Sequence, residues 1–282
     1  MPIRPLRPES AFASTTYAGS VPAWRRQVLR DTVAGLVGEG RGDYHSLARA
    51  NLDRWASEAS PAEAATLVVQ GDWGEVTARL TKESGRAFAV LNMANAYVPG
   101  GGYLEGMVSQ EENMFRRTDC HFSIGESQLT EDGRIYQPEV TALIDGASGK
   151  VYLDLVEPRV CVRGPEVVGR MEGYDWLPDD EVFPFYELRA AARDYRNGDA
   201  FDPEDARRRI CAQLDTLAEA KQRYAVLGAS GCGAFCNPGQ SIAQIYKEEL
   251  TARRGAFDCV AFAIFSAGYG PGNYPIFRRV FD

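Results

Sequence analysis

Histidine is scarce in this chain: His45 and His121 are the only two in 282 residues. Two imidazoles so far apart are too few for most zinc sites, and no Cys-x-x-Cys pair completes a ligand set. No metal and no other cofactor is therefore expected. Positive charge is also short. Lys and Arg number 31 against 39 Asp and Glu, for a net charge of −8. That balance excludes a protein that grips nucleic acid by broad phosphate neutralisation, although backbone amides can still hold an anionic ligand locally. No apolar run approaches membrane length, and Met1-Pro2-Ile3-Arg4-Pro5 lacks the apolar core of a signal peptide. No membrane association is expected. Neither Gly-x-Gly-x-x-Gly nor Gly-Lys-Ser/Thr occurs, so the Rossmann and Walker loops are absent. The cysteines Cys120, Cys161, Cys211, Cys232, Cys236 and Cys259 are spread singly apart from Cys232-x-x-x-Cys236. They read as reduced thiols in a cytoplasmic protein. No internal repeat or low-complexity linker divides the chain.

What is present is an alternation of strand and helix patterns, which means an α/β layer fold. Residues 1–20 read as a loose arm. Helical spacing of apolar residues covers 22–38, stopped by Gly38, Gly40 and Gly42, and resumes over 43–57. Pro61 reads as the start of a short helix. A strand at Thr66–Gln70, a helix at Trp73–Ser84 and a strand at 87–91 follow. Residues 110–123 read as a helix. The stretch 133–163 turns β-rich at 134–136, 151–155 and 159–163. Residues 164–184 read as a solvated surface excursion with no role, and 186–197 as a helix. A helix from Asp202 to about 222, a strand at 224–228, a helix at 239–253 and a buried strand at 259–265 complete the chain.

Two stretches carry chemistry. The first runs from the end of the apolar strand at 87–91 through Asn92 and Asn95 to Pro99-Gly100-Gly101-Gly102, and then to Gln110-Glu111-Glu112. Successive glycines adopt φ values that side chains forbid and let another molecule approach the backbone. Their amides can form an anion-binding nest. A phosphate-cradling loop closely followed by paired carboxylates suggests a site that holds a phosphorylated sugar and does acid/base work on it. The second stretch, Gly228-Ala229-Ser230-Gly231-Cys232-Gly233-Ala234-Phe235, again follows a strand and precedes a helix. Two such loops can share the carboxyl end of one sheet, where α/β proteins bind ligands.

Gly100-Gly101-Gly102, seven intervening residues and Gln110-Glu111-Glu112 together resemble the signature of the poly(ADP-ribose) glycohydrolases, which are built on the macrodomain fold. Asn92-x-Ala94-Asn95-Ala96-x-x-Pro99 and Gly228-Ala229-x-Gly231-Cys232-Gly233-Ala234-Phe235 are most similar to the bacterial-type branch. The resemblance covers roughly residues 66–265. It implies a three-layer macrodomain-like fold, with a central mixed sheet flanked by helices. A helical extension would occupy 1–60 and the catalytic domain 61–282, as a single globular unit. The segment 140–160 is longer than the family pattern. The implied activity is hydrolysis of ribose–ribose glycosidic bonds in poly(ADP-ribose). The implied partners are that polymer or ADP-ribosylated proteins, with ADP-ribose as product, and a monomer is expected. By the same resemblance, Glu112 would protonate the leaving 2′-oxygen and then activate water. Glu111 and Gln110 would position the terminal ribose, and Asn95 would bond its hydroxyls. Gly100, Gly101, Gly102, Gly231, Cys232, Gly233 and Ala234 would cradle the diphosphate through their amides. Phe235 would pack on the terminal ribose and Phe265 on adenine.

Elementary geometry adds to this. Neighbouring helical residues point about 100° apart, so Glu111 and Glu112 cannot flank a glycosidic bond as two separate carboxylates do. One acid must serve both proton steps, or one acts while the other binds hydroxyls. Burial and a like-charged neighbour raise a carboxyl pKa, so Glu112 is expected to titrate high. An acidic surface facing a polyanion favours recognition of the terminal unit alone, hence release from chain ends. The rival readings are a non-catalytic ADP-ribose reader, which needs no acid pair, and a hydrolase of mono-ADP-ribosylated side chains or O-acetyl-ADP-ribose.

Overall fold

The computed structural model describes residues 20–59, 64–266 and 272–282. The loose arm and the helix start at Pro61 lie outside the described residues. The described helices are α1 (Val21–Gly35), α2 (Glu39–Glu58), α3 (Trp73–Ser84), α4 (Gln110–Arg117), α5 (Pro138–Ile144), α6 (Pro203–Glu219), α7 (Gly239–Ala252) and α8 (Asn273–Phe281). The strands are β1 (Ala65–Gln70), β2 (Ala89–Met93), β3 (Tyr152–Leu153), β4 (Arg159–Cys161), β5 (Glu166–Val167), β6 (Glu172–Gly173), β7 (Phe183–Ala190), β8 (Tyr224–Leu227) and β9 (Cys259–Ile264). No described helix is long and apolar enough to cross a membrane.

The main sheet has the order β1-β9-β8-β2-β7-β3. Its first five strands are mutually parallel, while β3 and β4 both pair antiparallel with β7. Side chains alternate across it, as strand geometry requires. Val90 faces one core with Leu29, Trp55, Trp73 and Leu80; Ala89 and Leu91 face the other, with Ile210, Leu214 and Tyr246. Helices α1–α4 therefore cover one face and α6–α8 the other, the expected mixed sheet between helical layers. Because β1, β9, β8, β2 and β7 run the same way, their carboxyl ends all open onto one edge.

Local chemistry explains most boundaries. Asp72 caps α3 by accepting hydrogen bonds from the Gly74 and Glu75 amides at 2.8 and 3.2 Å. Asp202 caps α6 in the same way, with Pro203 opening the helix. The helix read at 110–123 stops at Arg117, where Thr118 turns the chain into a tighter coil over Asp119–Ser123.

Several expectations fail for identifiable reasons. Gly40 and Gly42 do not end a helix but lie in the first turn of α2. The segment at 186–197 is not helical. Its first half belongs to β7, where Phe183, Phe185, Glu187 and Arg189 alternate with Pro184, Tyr186, Leu188 and Ala190. The buried charges at 187 and 189 disguise the period-two pattern. In the β-rich stretch only β3 and β4 form. Residues 134–136 contribute just a bridge between Leu129 and Tyr136, and α5 follows. The excursion at 164–184 contains the β5–β6 hairpin and the start of β7.

Candidate active site

A cleft of about 770 Å³ opens at the common edge. Its size suits a ligand somewhat larger than a nucleotide. Asn95, Gly101, Gly102, Gln110, Glu111 and Glu112 line it from the β2 side. Gly231, Gly233, Ala234 and Phe235 line it from the β8 side, and Phe265 from the end of β9. The two glycine stretches thus meet across one cavity, as their placement after parallel strands predicts.

The acid pair is positioned by main chain. Glu111 Oε2 accepts a hydrogen bond from the Asn95 amide at 2.8 Å, and Glu112 Oε1 accepts one from the Gly102 amide at 2.9 Å. The other oxygens, Glu111 Oε1 and Glu112 Oε2, are buried without a hydrogen-bond partner among the described residues. A side chain at Gly101 would place its Cβ 2.5 Å from Glu112 Oε1 and 3.0 Å from Glu111 Oε2. Gly101 also has φ +55°, in the left-handed region. The glycine is there because both carboxyls converge on it.

The Glu111 carboxyl is pushed well above its ordinary value. Burial is the main cause, followed by the charge of Glu112; the Asn95 amide and Arg189 oppose it. Beneath Glu111 lies a buried polar floor. Glu187 and Arg189 pair at 2.8 Å on β7, Asn92 donates to Glu187 Oε1 at 2.8 Å, and Arg189 donates to Tyr136 Oη at 3.1 Å. Burial pushes the Glu187 carboxyl up, but Arg189 outweighs it and holds Glu187 below the usual range.

Several expected contributions change. The Gly101 amide donates to the Val98 carbonyl and the Gly102 amide to Glu112, so these two are not available to a diphosphate. Gly100 is buried against Tyr103 and Phe115, off the cleft wall. The second loop instead offers open amides: those of Gly231, Gly233, Ala234 and Phe235 make no hydrogen bond among the described residues. Cys232 does not join them. Its amide closes a turn onto Ala229, and its thiol is buried in the core. Gln110 bridges the β2 backbone, accepting from the Met93 amide at 2.9 Å and donating to the Leu91 carbonyl at 2.8 Å. It thereby orients the first turn of α4 at the cleft wall. Asn95 uses Oδ1 for the Tyr97 and Val98 amides, which leaves its Nδ2 as the group it can offer.

Sequence reasoning missed several lining residues. Asp72 and Trp73 lie at the carboxyl end of β1, the rule that found the two glycine loops. Asp72 is buried, paired with Arg117 at 2.6 Å, and Trp73 donates from Nε1 to Asn113 at 3.0 Å. Pro165, Glu166, Val168 and Gly169 form a wall from the hairpin read as having no role. Arg25 of α1 holds that wall, with Nη2 2.6 Å from Glu166 Oε1, while Tyr174 donates to Glu166 Oε2 at 2.9 Å. Arg196, beyond β7, completes the lining. No group of three or more metal-ligating side chains occurs among the described residues.

Residues 42–142, which carry both the glycine run and the acid pair, match the family model for the microbial-type PARG catalytic domain. The fold is similar to that of poly(ADP-ribose) glycohydrolase from Thermomonospora curvata, at 23% identity over 91% of this chain and 99% of that one, with a TM-score of 0.62. The same protein bound to the inhibitor ADP-HPD aligns at 22% identity and TM-score 0.60, over 91% of this chain and 99% of that chain. The Deinococcus radiodurans glycohydrolase in complex with ADP-ribose aligns at 25% identity and TM-score 0.55, over 86% of this chain and 92% of that chain. No curated relative matches. The resemblance drawn from the sequence motifs is borne out.

Proposed function

We propose, taking that family match and fold as the premise, that the chain is a poly(ADP-ribose) glycohydrolase that releases ADP-ribose, mainly from chain ends. The observation that carries the reading is the acid pair. Each carboxyl is fixed through one oxygen by a loop amide and leaves its other oxygen buried and unpartnered among the described residues, in a cleft that the second loop with its unbonded amides also lines. A sugar–diphosphate fits this division: amides for the diphosphate, carboxyls for the glycosidic bond.

The diphosphate lies along Gly231, Gly233 and Ala234. Phe235 packs on the terminal ribose, Asn95 donates to its hydroxyls, and Phe265 flanks adenine. Glu112 delivers a proton to the leaving 2′-oxygen as the bond to the anomeric carbon breaks. The carbon passes through an oxocarbenium-like state. Water then adds, losing its proton to the Glu112 carboxylate and restoring the acid. Glu111, whose carboxyl burial pushes well above its ordinary value, positions the terminal ribose. The catalytic body spans 61–282 and the extension 1–60. Six unbonded thiols suit a reducing compartment, and the chain acts as a cytoplasmic monomer.

The test is a Glu112→Gln variant given polymer and, separately, mono-ADP-ribosylated protein. The expected result is ADP-ribose release from polymer by the wild type, a loss of about a thousandfold in kcat for the variant, and retained ADP-ribose binding. Release by Glu112→Gln at near wild-type rate would overturn the assignment. Release from mono-modified protein alone would move it to the other hydrolase class.

A further inference from the structure

The helix that carries the acids, α4, is eight residues long. So short a helix does not hold its own shape in water, and its neighbours must steady the carboxyls. Arg116 follows Glu112 by four residues and so lies on the same side of the helix. It is fully buried. Its Nη1 donates to the Met107 carbonyl at 2.9 Å, and the Met107 amide donates to the carbonyl of Gly102, the residue whose own amide holds Glu112. Arg116 Nε donates to Tyr174 Oη at 3.0 Å, and Nδ2 of Asn113, next to Glu112, donates to the same oxygen at 3.1 Å. That hydroxyl donates in turn to Glu166 Oε2 at 2.9 Å. We propose that Tyr174 is a positioning residue for the glycosidic step: its hydroxyl fixes the acid helix, and with it the Glu112 carboxyl, against the hairpin wall of the cleft. The inference rests on the glycohydrolase reading and adds to it a residue that touches no substrate.

The backbone at this position supports the reading. Tyr174 has φ +57°, in the left-handed region where glycine is the default. A side chain kept there at a backbone cost marks a place where the side chain itself is needed. The surroundings hold it in that conformation. Its amide donates to the Pro165 carbonyl at 3.0 Å, its carbonyl accepts from Arg163 Nη1 at 2.6 Å, and its ring lies 5.5 Å from that of Trp24. The residue is 1% exposed, and burial pushes the phenol above its ordinary value, so it keeps the proton it donates to Glu166. Both acceptor sites of the hydroxyl face α4 and its one proton faces the hairpin. A phenylalanine would fill the same space and lack only this shared atom. Arg25 grips Glu166 from the other side and secures the wall without touching α4. Wall and acid helix are thus held by different groups, and their losses should be read in different kinetic constants.

The experiment compares Tyr174→Phe with wild type on poly(ADP-ribose), with folded protein counted by its ADP-ribose binding sites. The expected result is a fall in kcat per binding site of roughly tenfold to a hundredfold, the scale of a misplaced catalytic group, with KM and ADP-ribose affinity kept. A tyrosine with a merely structural role would lower the melting temperature and the number of binding sites but leave kcat per site unchanged, and that result would overturn the proposal. A loss carried by KM or by ADP-ribose affinity would overturn it too, because the hydroxyl would then serve the wall and not the acid. Should Tyr174→Phe fail to fold, Asn113→Ala removes one of the two donors on α4 and should show the same kcat-borne loss in smaller measure; a loss borne by KM, or none, counts against the proposal. Wild-type protein that binds ADP-ribose but releases none from polymer would overturn the glycohydrolase reading, and this inference with it.

Discussion

At the scale of single residues, the acid pair is where the sequence is most and least informative. The glycine run followed by Gln-Glu-Glu locates the cleft, because only close convergence on a bare Cα explains that run. The division of labour could not be read, since main-chain amides decide it. Which of Gly100, Gly101, Gly102 and Cys232 has a usable N–H depends on turns that leave no composition signal. The raised Glu111 carboxyl has a thermodynamic consequence. Its native value lies above its unfolded value of about 4.3, so above that pH the native state keeps a proton the unfolded chain has lost. Stability from this group is full below the unfolded value and declines as pH rises through the native one. Thermal melts of wild type and Glu111→Gln should therefore diverge progressively above about pH 4.3, with the variant the more stable at alkaline pH. Parallel curves would show that Glu111 ionises normally.

At the scale of elements, α3 and the parallel strands β1, β2, β8 and β9 were legible because caps and apolar runs are local. The β5–β6 hairpin and β7 were not. Acids in a Gly- and Pro-bearing segment look solvated, and Glu166 is covered by Arg25, which arrives from a helix 141 residues away, together with the hydroxyl of Tyr174. The side chains of that pair are 11% and 7% exposed, so removing one partner strands the other in a poorly hydrated place. Arg25→Ala should lower stability by about 3 kcal/mol and raise KM, with kcat at saturation largely kept, because the hairpin wall loosens while the acids stay in place. Arg25→Ala combined with Glu166→Gln should cost less than the two single changes together. Denaturant melts of the four-member cycle measure that coupling; strict additivity would mean the pair does not hold the wall.

At the scale of the whole molecule, the α/β architecture was legible from alternation alone, whereas the way α1 and α2 join the sheet was not. Asp119 makes that join for α2. Its buried carboxylate accepts from His45 at 2.8 Å and Arg41 at 3.2 Å on α2, and from the Val160 amide of β4 at 2.8 Å. Burial alone would push the carboxyl up, but His45, Arg159 and the amide outweigh it and hold it below the usual range. The stability it confers is present above the unfolded Asp value of about 3.9 and is lost as pH falls through the native one. Acid titration followed by circular dichroism should show a drop in that window for wild type. Asp119→Asn should be less stable at neutral pH and should lack most of that acid-induced drop. An identical acid limb in both proteins would place the weakness elsewhere.

The anchoring of Glu111 and Glu112 by the amides of Asn95 and Gly102 carries an evolutionary corollary. An N–H belongs to every residue but proline, so no ordinary exchange of side chains at positions 95 or 102 deletes these two donors. The geometry of the acids is insured against most point mutations there, and exposed instead to those that bend the chain: insertions, prolines, or a Cβ at position 101. Drift in such a lineage should be tolerated in the identity of the surrounding residues and punished in the length of the loop.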